Sequence, residues 1–241
     1  MLAKTFAIVK KELKSYFNSP IAYIVTAIFL VTMAVLFLLL DYRSAFRIAD
    51  LRPFFNYLPF VFIFIIPAIT MRSWAEEKRQ GTEELLLSLP FREAELVWGK
   101  FIAPLILLVV MLLLTLGIPF SLSLLGDYEW GQLFGQYLGV FFFGASCIAV
   151  GLFISSLTRN QIVAFFGTAV VLFFFLIISD INQLIRFPDL LRDLFNWISF
   201  RFHYDSLSRG LLDTRDLVFF VVVAALFLFL NIKVIIFRKW K

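Results

Sequence analysis

Cysteine and histidine are almost absent from this chain: Cys147 and His203 each stand alone among 241 residues. A single cysteine rules out an intrachain disulfide, and one His with one Cys argues against a zinc site built from protein ligands alone. Also missing is any Gly-x-x-x-x-Gly-Lys-Ser/Thr loop, because the only Gly-Lys pair, Gly99-Lys100, runs on into Phe101. The chain therefore lacks the phosphate-cradling loop with which to bind ATP itself. No Gly-x-Ser-x-Gly elbow, His-Glu-x-x-His pair or glycine-rich dinucleotide fingerprint occurs either. His203, Asp205, Ser206 and Ser208 lie close together in sequence, whereas a catalytic triad is assembled from distant positions. No catalytic residue, metal ligand or cofactor site is expected, and the chain is not expected to be an enzyme.

Charge is the next scarcity. Charged residues make up 16% of the chain and hydrophobic ones 61%, with a mean hydropathy of +0.92. Soluble proteins hold roughly 45–50% apolar residues. The composition predicts an all-α polytopic membrane protein forming one transmembrane domain over residues 1–241. The net charge of +5 is scattered over span ends rather than gathered on a polar domain, which fits membrane orientation and not nucleic-acid binding.

Six transmembrane helices are expected, at about 21–40, 54–71, 101–125, 134–157, 162–179 and 217–237. Each approaches the roughly 20 residues that cross a 30 Å hydrocarbon layer at 1.5 Å per residue. Pro59 and Pro67 in the second span, and Pro104 and Pro119 in the third, predict bends. Gly131, Gly135 and Gly139 recur every four residues into the fourth span, offering a smooth face for packing within the subunit or against another. None of the first five spans contains an ionisable residue, which an ion-coupled carrier would keep at mid-membrane. Such a carrier would have to use Asn231 or Lys233 of the sixth span.

Residues 1–19 read as an amphipathic helix. At 100° per residue Leu2, Phe6, Val9, Leu13, Tyr16 and Phe17 share one arc, while Lys4, Lys10, Lys11 and Lys14 lie opposite. That pattern suits a helix in the membrane interface, its lysines drawn to anionic lipid headgroups by about 1 kcal/mol each. Its long charged region, followed by a full 20-residue apolar run, is not that of a cleavable signal peptide. Ser19 and Pro20 supply a cap and a first helical position for the first span. With both termini, the island at 72–100 and Arg159 on one side, that side holds fourteen of the twenty-two Lys and Arg, including all nine Lys. Positive residues mark the cytoplasmic face, so both termini are expected there, in a multi-pass protein of the cell inner membrane. Residues 180–216 form the longest segment on the far side, where Pro188 opens a stretch with Leu190, Leu191, Leu194, Phe195 and Ile198 on one face.

The island 72–100 is the one long stretch built to meet a water-soluble partner. The second span is expected to continue as a helix to Gln80, with Glu76 able to pair with Arg79 or Gln80, until Gly81 breaks it. Thr82 is expected to cap a second helix with Glu83 and Glu84 in its first turn and Leu85, Leu86, Leu87 and Leu89 giving it an apolar side, ended by Pro90. Such a helix either docks in a partner's groove or rests its leucines on the bilayer.

The run Glu77-Lys78-Arg79-Gln80-Gly81-Thr82-Glu83-Glu84-Leu85-Leu86, followed by Leu89-Pro90 and Gly99-Lys100, resembles the signature of ABC type 2 permeases, the membrane subunits of ATP-binding-cassette transporters. The segment from Tyr204 to Asp216 is similar to the branch holding gliding-motility permeases and the permease of nitrous oxide reductase maturation. The resemblance implies a dimer of permease subunits, homo- or heteromeric, working with two separate cytoplasmic ATPase subunits that bind the ATP. It implies that the loop after the second span is a coupling helix, with Glu77, Arg79, Gly81, Thr82, Glu83 and Leu86 as contact and shaping positions. Substrate residues are not carried over, since the family shares no substrate motif. The polar segment between spans five and six differs from a re-entrant hydrophobic hairpin and argues against polysaccharide export. Export of another substrate is the leading expectation. The alternative is a mechanotransmission or assembly scaffold acting on a separate extracytoplasmic partner protein without solute passage.

Overall fold

The computed structural model describes residues 2–40, 51–123, 130–184 and 188–239, and the described residues form α-helices joined by short turns. In chain order these are α1 Leu2–Asn18, α2 Pro20–Leu40, α3 Arg52–Thr70, α4 Arg72–Arg79, α5 Thr82–Ser88, α6 Glu93–Thr115, α7 Gly117–Ser123, α8 Trp130–Leu157, α9 Gln161–Leu184, α10 Asp189–Ile198, α11 Phe200–Ser208 and α12 Thr214–Lys239. Among the described residues six helical stretches are long and apolar enough to cross a membrane: α2, α3 running on into α4, α6 with α7, α8, α9 and α12. Arg43 and Arg47, between the first two expected spans, and Asp127 and Glu129, between the third and fourth, lie outside the described residues.

Local chemistry explains where the helices start and stop. Pro20 opens α2 with Ser19 Oγ accepting the Ile21 N–H at 3.4 Å, a first-turn use of a residue that has no N–H to lose. The third span breaks at Leu116 between α6 and α7, where the ring of Pro119 would meet the carbonyl of Thr115 in a continuous helix. Its helix also begins earlier than the apolar run. Glu93 to Lys100, read above as part of the connecting island, form the first two turns of α6, with the Glu95 carboxylate accepting the Arg92 N–H at 3.0 Å.

α8 is the centre of the bundle: 72% of its apolar window is inside the protein, against 22% for α12 and 28% for α2. Without a hydrophobic force between helices in lipid, close packing rests on small residues. An added Cβ at Gly135 would lie 2.7 Å from the Gly210 carbonyl oxygen, one at Gly139 2.6 Å from Leu207 Cβ, and one at Gly144 2.5 Å from Leu108. The glycine series thus serves packing within the subunit. Gly131, the first of it, faces open space. Around α8 the core is aromatic: Phe62 stacks on Phe143 at 5.8 Å, and Phe143 meets Phe200, Tyr204 and Phe220 edge-on or tilted.

The segment after α9 is less exposed than its polarity suggests. α10 follows Pro188 as expected, but α11 turns Phe200, Tyr204 and Leu207 into the core, and Tyr204 donates to the Phe55 carbonyl at 2.9 Å. Burial pushes the Tyr204 phenol well above its usual range. Its stripe at 200, 203, 204, 207 and 208 has helical period, yet alternation with Arg201, Asp205 and Arg209 hides it in a hydropathy reading.

Gly135→Ala should lower the midpoint of thermal unfolding in detergent, by an amount equivalent to about 1–3 kcal/mol, because the obstructing atom is backbone. Gly131→Ala, with open space around it, should unfold like the parent protein.

Candidate functional site

The island end of the bundle is organised by one buried cation. Lys100, in the second turn of α6, is 1% exposed, with its ammonium 2.9 Å from Glu12 of α1 and 2.9 Å from Glu77 of α4. It also donates to the Ser73 carbonyl at 2.6 Å and sits 4.7 Å from the Trp74 ring centroid. Lys11, one residue before Glu12, reaches the other oxygen of Glu77 at 3.0 Å. Two carboxylates thus face two ammoniums, three of the four groups largely out of water, where the attraction is stronger than at a surface. α1 is thereby fixed to α4 and α6. Lys4 adds a hydrogen bond to the Pro90 carbonyl at 2.7 Å, and Tyr16 donates to the Ile69 carbonyl at 2.9 Å. Burial is the main cause that holds the Tyr16 phenol above its ordinary range.

The other expected lysines of α1, Lys10 and Lys14, are exposed. Ile8 and Val9 are its buried residues, while Phe6 is 68% exposed. Ile8 packs where Gly99 has no side chain: a Cβ there would lie 2.5 Å from Ile8.

α4 and α5 meet at Gly81, whose φ of +69° lies in the left-handed region that side chains disfavour. It stands at the N-cap of α5, so Thr82 is the first helical residue and not the cap. The Thr82 hydroxyl instead donates back to the Glu77 carbonyl at 3.3 Å. Glycine in that conformation lets the chain turn at the end of α4 without a side chain pulling it elsewhere. Glu76 holds the turn from above, accepting from Arg79 at 3.1 Å, from Gln80 at 2.5 Å and from Gln161 at the start of α9.

The six expected contact and shaping positions divide into two groups. Glu77 is spent on Lys100 and Lys11, Glu83 pairs with Arg238 near the end of α12 at 3.4 Å, and Leu86 packs half-buried against the core. Arg79, Gly81 and Thr82 are exposed. Sequence reasoning passed over their exposed neighbour Leu85 as a distinct position: it is 69% exposed, and Leu89 is 41% exposed. A cleft of about 640 Å³ runs between α1 and this helix, with Lys11, Glu77, Thr82, Leu86 and Phe91 among its walls.

At the opposite end lies a wider cleft of about 1690 Å³ beside α10, α11 and the first turns of α12. His203 Nδ1 is 2.7 Å from Asp216, its Nε2 is 3.1 Å from the Trp197 carbonyl, and Ser206 donates to the second oxygen of Asp216. Serine and histidine therefore share a carboxylate. The ring is not directed at Ser206, as general-base catalysis would need. Asp205 is taken up by Arg209 at 2.5 Å and Asp180 by Arg201 at 2.6 Å. Among the described residues no group of three His, Cys, Asp or Glu is placed to hold a metal ion. In α12, Lys233 is exposed with its ammonium 5.2 Å from the Phe229 ring, while Asn231 is fully buried and neither amide atom meets a hydrogen-bond partner among the described residues.

Five apolar helices around a small-residue sixth, with a polar helical platform at one end, define a multi-pass membrane protein. A family model described as ABC-2 family transporter protein matches residues 41–233, from before α3 into the last turns of α12. The chain belongs to that family and is a membrane component of an ABC transporter, a domain type that is generally non-catalytic and that implies an ATPase partner. No curated protein matches it significantly.

Lys100→Met should leave Glu12 and Glu77 with only the exposed Lys11 as counter-charge and destabilise the protein by about 3 kcal/mol. Thermal unfolding in detergent checks this. Combining it with Glu12→Gln and Glu77→Gln should recover most of the loss, since the repelling carboxylates are gone.

Proposed function

We propose that this chain is the transmembrane permease subunit of an ABC transporter in which a separate cytoplasmic ATPase drives movement of a substrate across the inner membrane, in the direction of export. The supporting observation is the pairing of α5, an exposed leucine-bearing helix behind a glycine break, with a platform that is itself locked by buried ion pairs. α5 has no fully buried residue, whereas α4 beside it buries Ser73, Trp74, Ala75 and Lys78. Leu85 and Leu89, with Arg79 and Thr82 at the rim, make the docking face; Glu77, Glu83 and Leu86 position the helix from behind. An apolar stripe presented on a short helix is a groove-binding ligand. ATP binding closes the ATPase pair and pushes α5 and α4, tilting the spans. In this reading both termini are cytoplasmic, α1 lies in the membrane interface with Lys10 and Lys14 toward lipid headgroups, and two permease subunits assemble. The Tyr204 to Asp216 segment supports placement near the gliding-motility and nitrous oxide reductase maturation branch.

The broad cleft at the far end favours a second reading, in which the same motion remodels an extracytoplasmic partner protein without passing a solute. Its walls set the Asp180–Arg201 and Asp205–Arg209 ion pairs beside exposed Trp197 and Phe202, the mixture of aromatic and charged groups found at protein interfaces. Reconstitution with candidate lipids and solutes separates the two: ATP-driven movement of any of them supports transport.

Leu85→Asp and Leu89→Asp, exposed enough to leave the fold intact, should each weaken association with the ATPase subunit by about 2 kcal/mol, roughly 30-fold, as a lost interface anchor does. Co-purification from native membranes and the ATPase rate of the complex measure it. Parent-like association of both variants would remove α5 from the interface.

A further inference from the structure

α4 begins at a joint. Its N-cap residue, Met71, has no side-chain cap, and Pro67 one turn earlier in α3 has no N–H of its own. The missing cap comes from another span. Ser155, fully buried in the last turn of α8, accepts from the backbone N–H of Trp74 and of Ala75 at 3.2 Å each and donates to the Met71 carbonyl at 3.0 Å. A side-chain oxygen on the first N–H groups of a helix is the normal chemistry of an N-cap, supplied here from 80 residues away.

Contacts on either side of Ser155 continue the seam. One turn toward the membrane centre, an added Cβ at Gly151 would overlap the Thr70 side chain, which packs into the space the glycine leaves open. One residue on, the Ser156 carbonyl accepts from Lys78, whose side chain is 7% exposed. Thr70, Met71, Trp74, Ala75 and Lys78 are thus all held against Gly151, Ser155 and Ser156. The far end of α8 is locked in the same way, with Gln136 donating to the Ser208 carbonyl at 2.8 Å and Gly135 and Gly139 against Gly210 and Leu207.

We propose that Ser155 is the positioning residue that makes α8 follow the coupling platform, so that α8 acts as a strut carrying displacement of α4 and α5 to α11 and the far cleft. This rests on the reading of α5 as the ATPase docking helix. α3 runs on into α4 through Met71, whose N–H bonds the Pro67 carbonyl, but the Met71 carbonyl and the N–H groups of Trp74 and Ala75 are taken up by α8. Packed elements transmit displacement when they shift as units, and the buried hydrogen bonds of Ser155, the Lys78 clamp on Ser156 and Thr70 seated on Gly151 make α4 and α8 such a unit.

The test uses the full permease in complex with its ATPase subunit, with Cys147→Ala and spin labels on Leu39→Cys and Gly131→Cys, exposed positions at the far ends of α2 and α8. The probe is a non-hydrolysable ATP analogue, and the readout is the change it causes in the distance between the labels. We expect a shift in the parent complex, a shift reduced to less than half in Ser155→Ala with the nucleotide-free distance unchanged, and recovery in Ser155→Thr, which keeps the hydroxyl. A merely structural role would alter the nucleotide-free distance and not the response. A full shift in Ser155→Ala, or no shift in a parent complex that holds its ATPase, overturns the proposal. Where Ser155→Ala does not assemble, Lys78→Met is read by the same two criteria, since it removes the clamp on Ser156 and keeps the length of the side chain. Failure of the parent protein to bind any ATPase subunit would instead overturn the function proposed above.

Discussion

A lysine ammonium with 1% of its side chain exposed has to be compensated where it sits, and the compensation of Lys100 sets the arrangement of the whole island end. Taking a charge out of water costs several kcal/mol, and mutual attraction repays this only if geometry is good and further hydrogen bonds are made. Here the partners come from two helices besides its own: Glu12 on α1, and Glu77, the Ser73 carbonyl and the Trp74 ring face on α4. Withdrawing either carboxylate leaves the buried charges out of balance. The network therefore gives little net stability compared with an apolar core, but it strongly penalises every arrangement in which α1, α4 and α6 separate.

That penalty converts three helices into a platform. α1 would otherwise be free to slide, because its apolar residues could rest on lipid as well as on protein. Its docking instead follows from Glu12 and Lys11, from Ile8 against Gly99, and from Tyr16 on the Ile69 carbonyl. Tyr16 grips the end of α3 from one side while Ser155 grips the start of α4 from the other. The joint between the second span and the island thus has its polar groups satisfied by two different helices, in a region where an unsatisfied carbonyl or amide would be costly.

What could be read along the chain was what is local. Spans, breakers and the glycine turn depend on hydropathy, on proline's missing N–H and on glycine's tolerance of positive φ, and each is visible within a few residues. Partnerships between distant positions, such as Lys100 with Glu12 across 88 residues, are not. Lys100 reads in sequence as the last charge before an apolar run, and Glu77 as one of six island acids available to a partner, yet each consumes the other. Thr82 was misplaced by one position because Gly81 in the left-handed conformation takes the cap position itself. α11 escaped notice for a different reason: its buried stripe is interleaved with three charged residues, so average polarity outweighed period.

The acids of the island acquire a different meaning from this division. An exposed carboxylate at a docking surface contributes little once screened by salt, whereas the same group turned inward can fix the orientation of a helix. Glu77 locks α4, Glu76 ties it to the start of α9, and Glu83 fastens the first turn of α5 to Arg238. What is left facing outward on α5 is Leu85 among Thr82, Glu84 and Ser88. A surface of leucines on a helix without a fully buried residue has few contacts of its own to lose, so it can settle into a groove while the ion-paired platform behind it stays rigid. Compliance at the contact and stiffness behind it are what a lever end requires, since displacement absorbed by the platform would never reach α8.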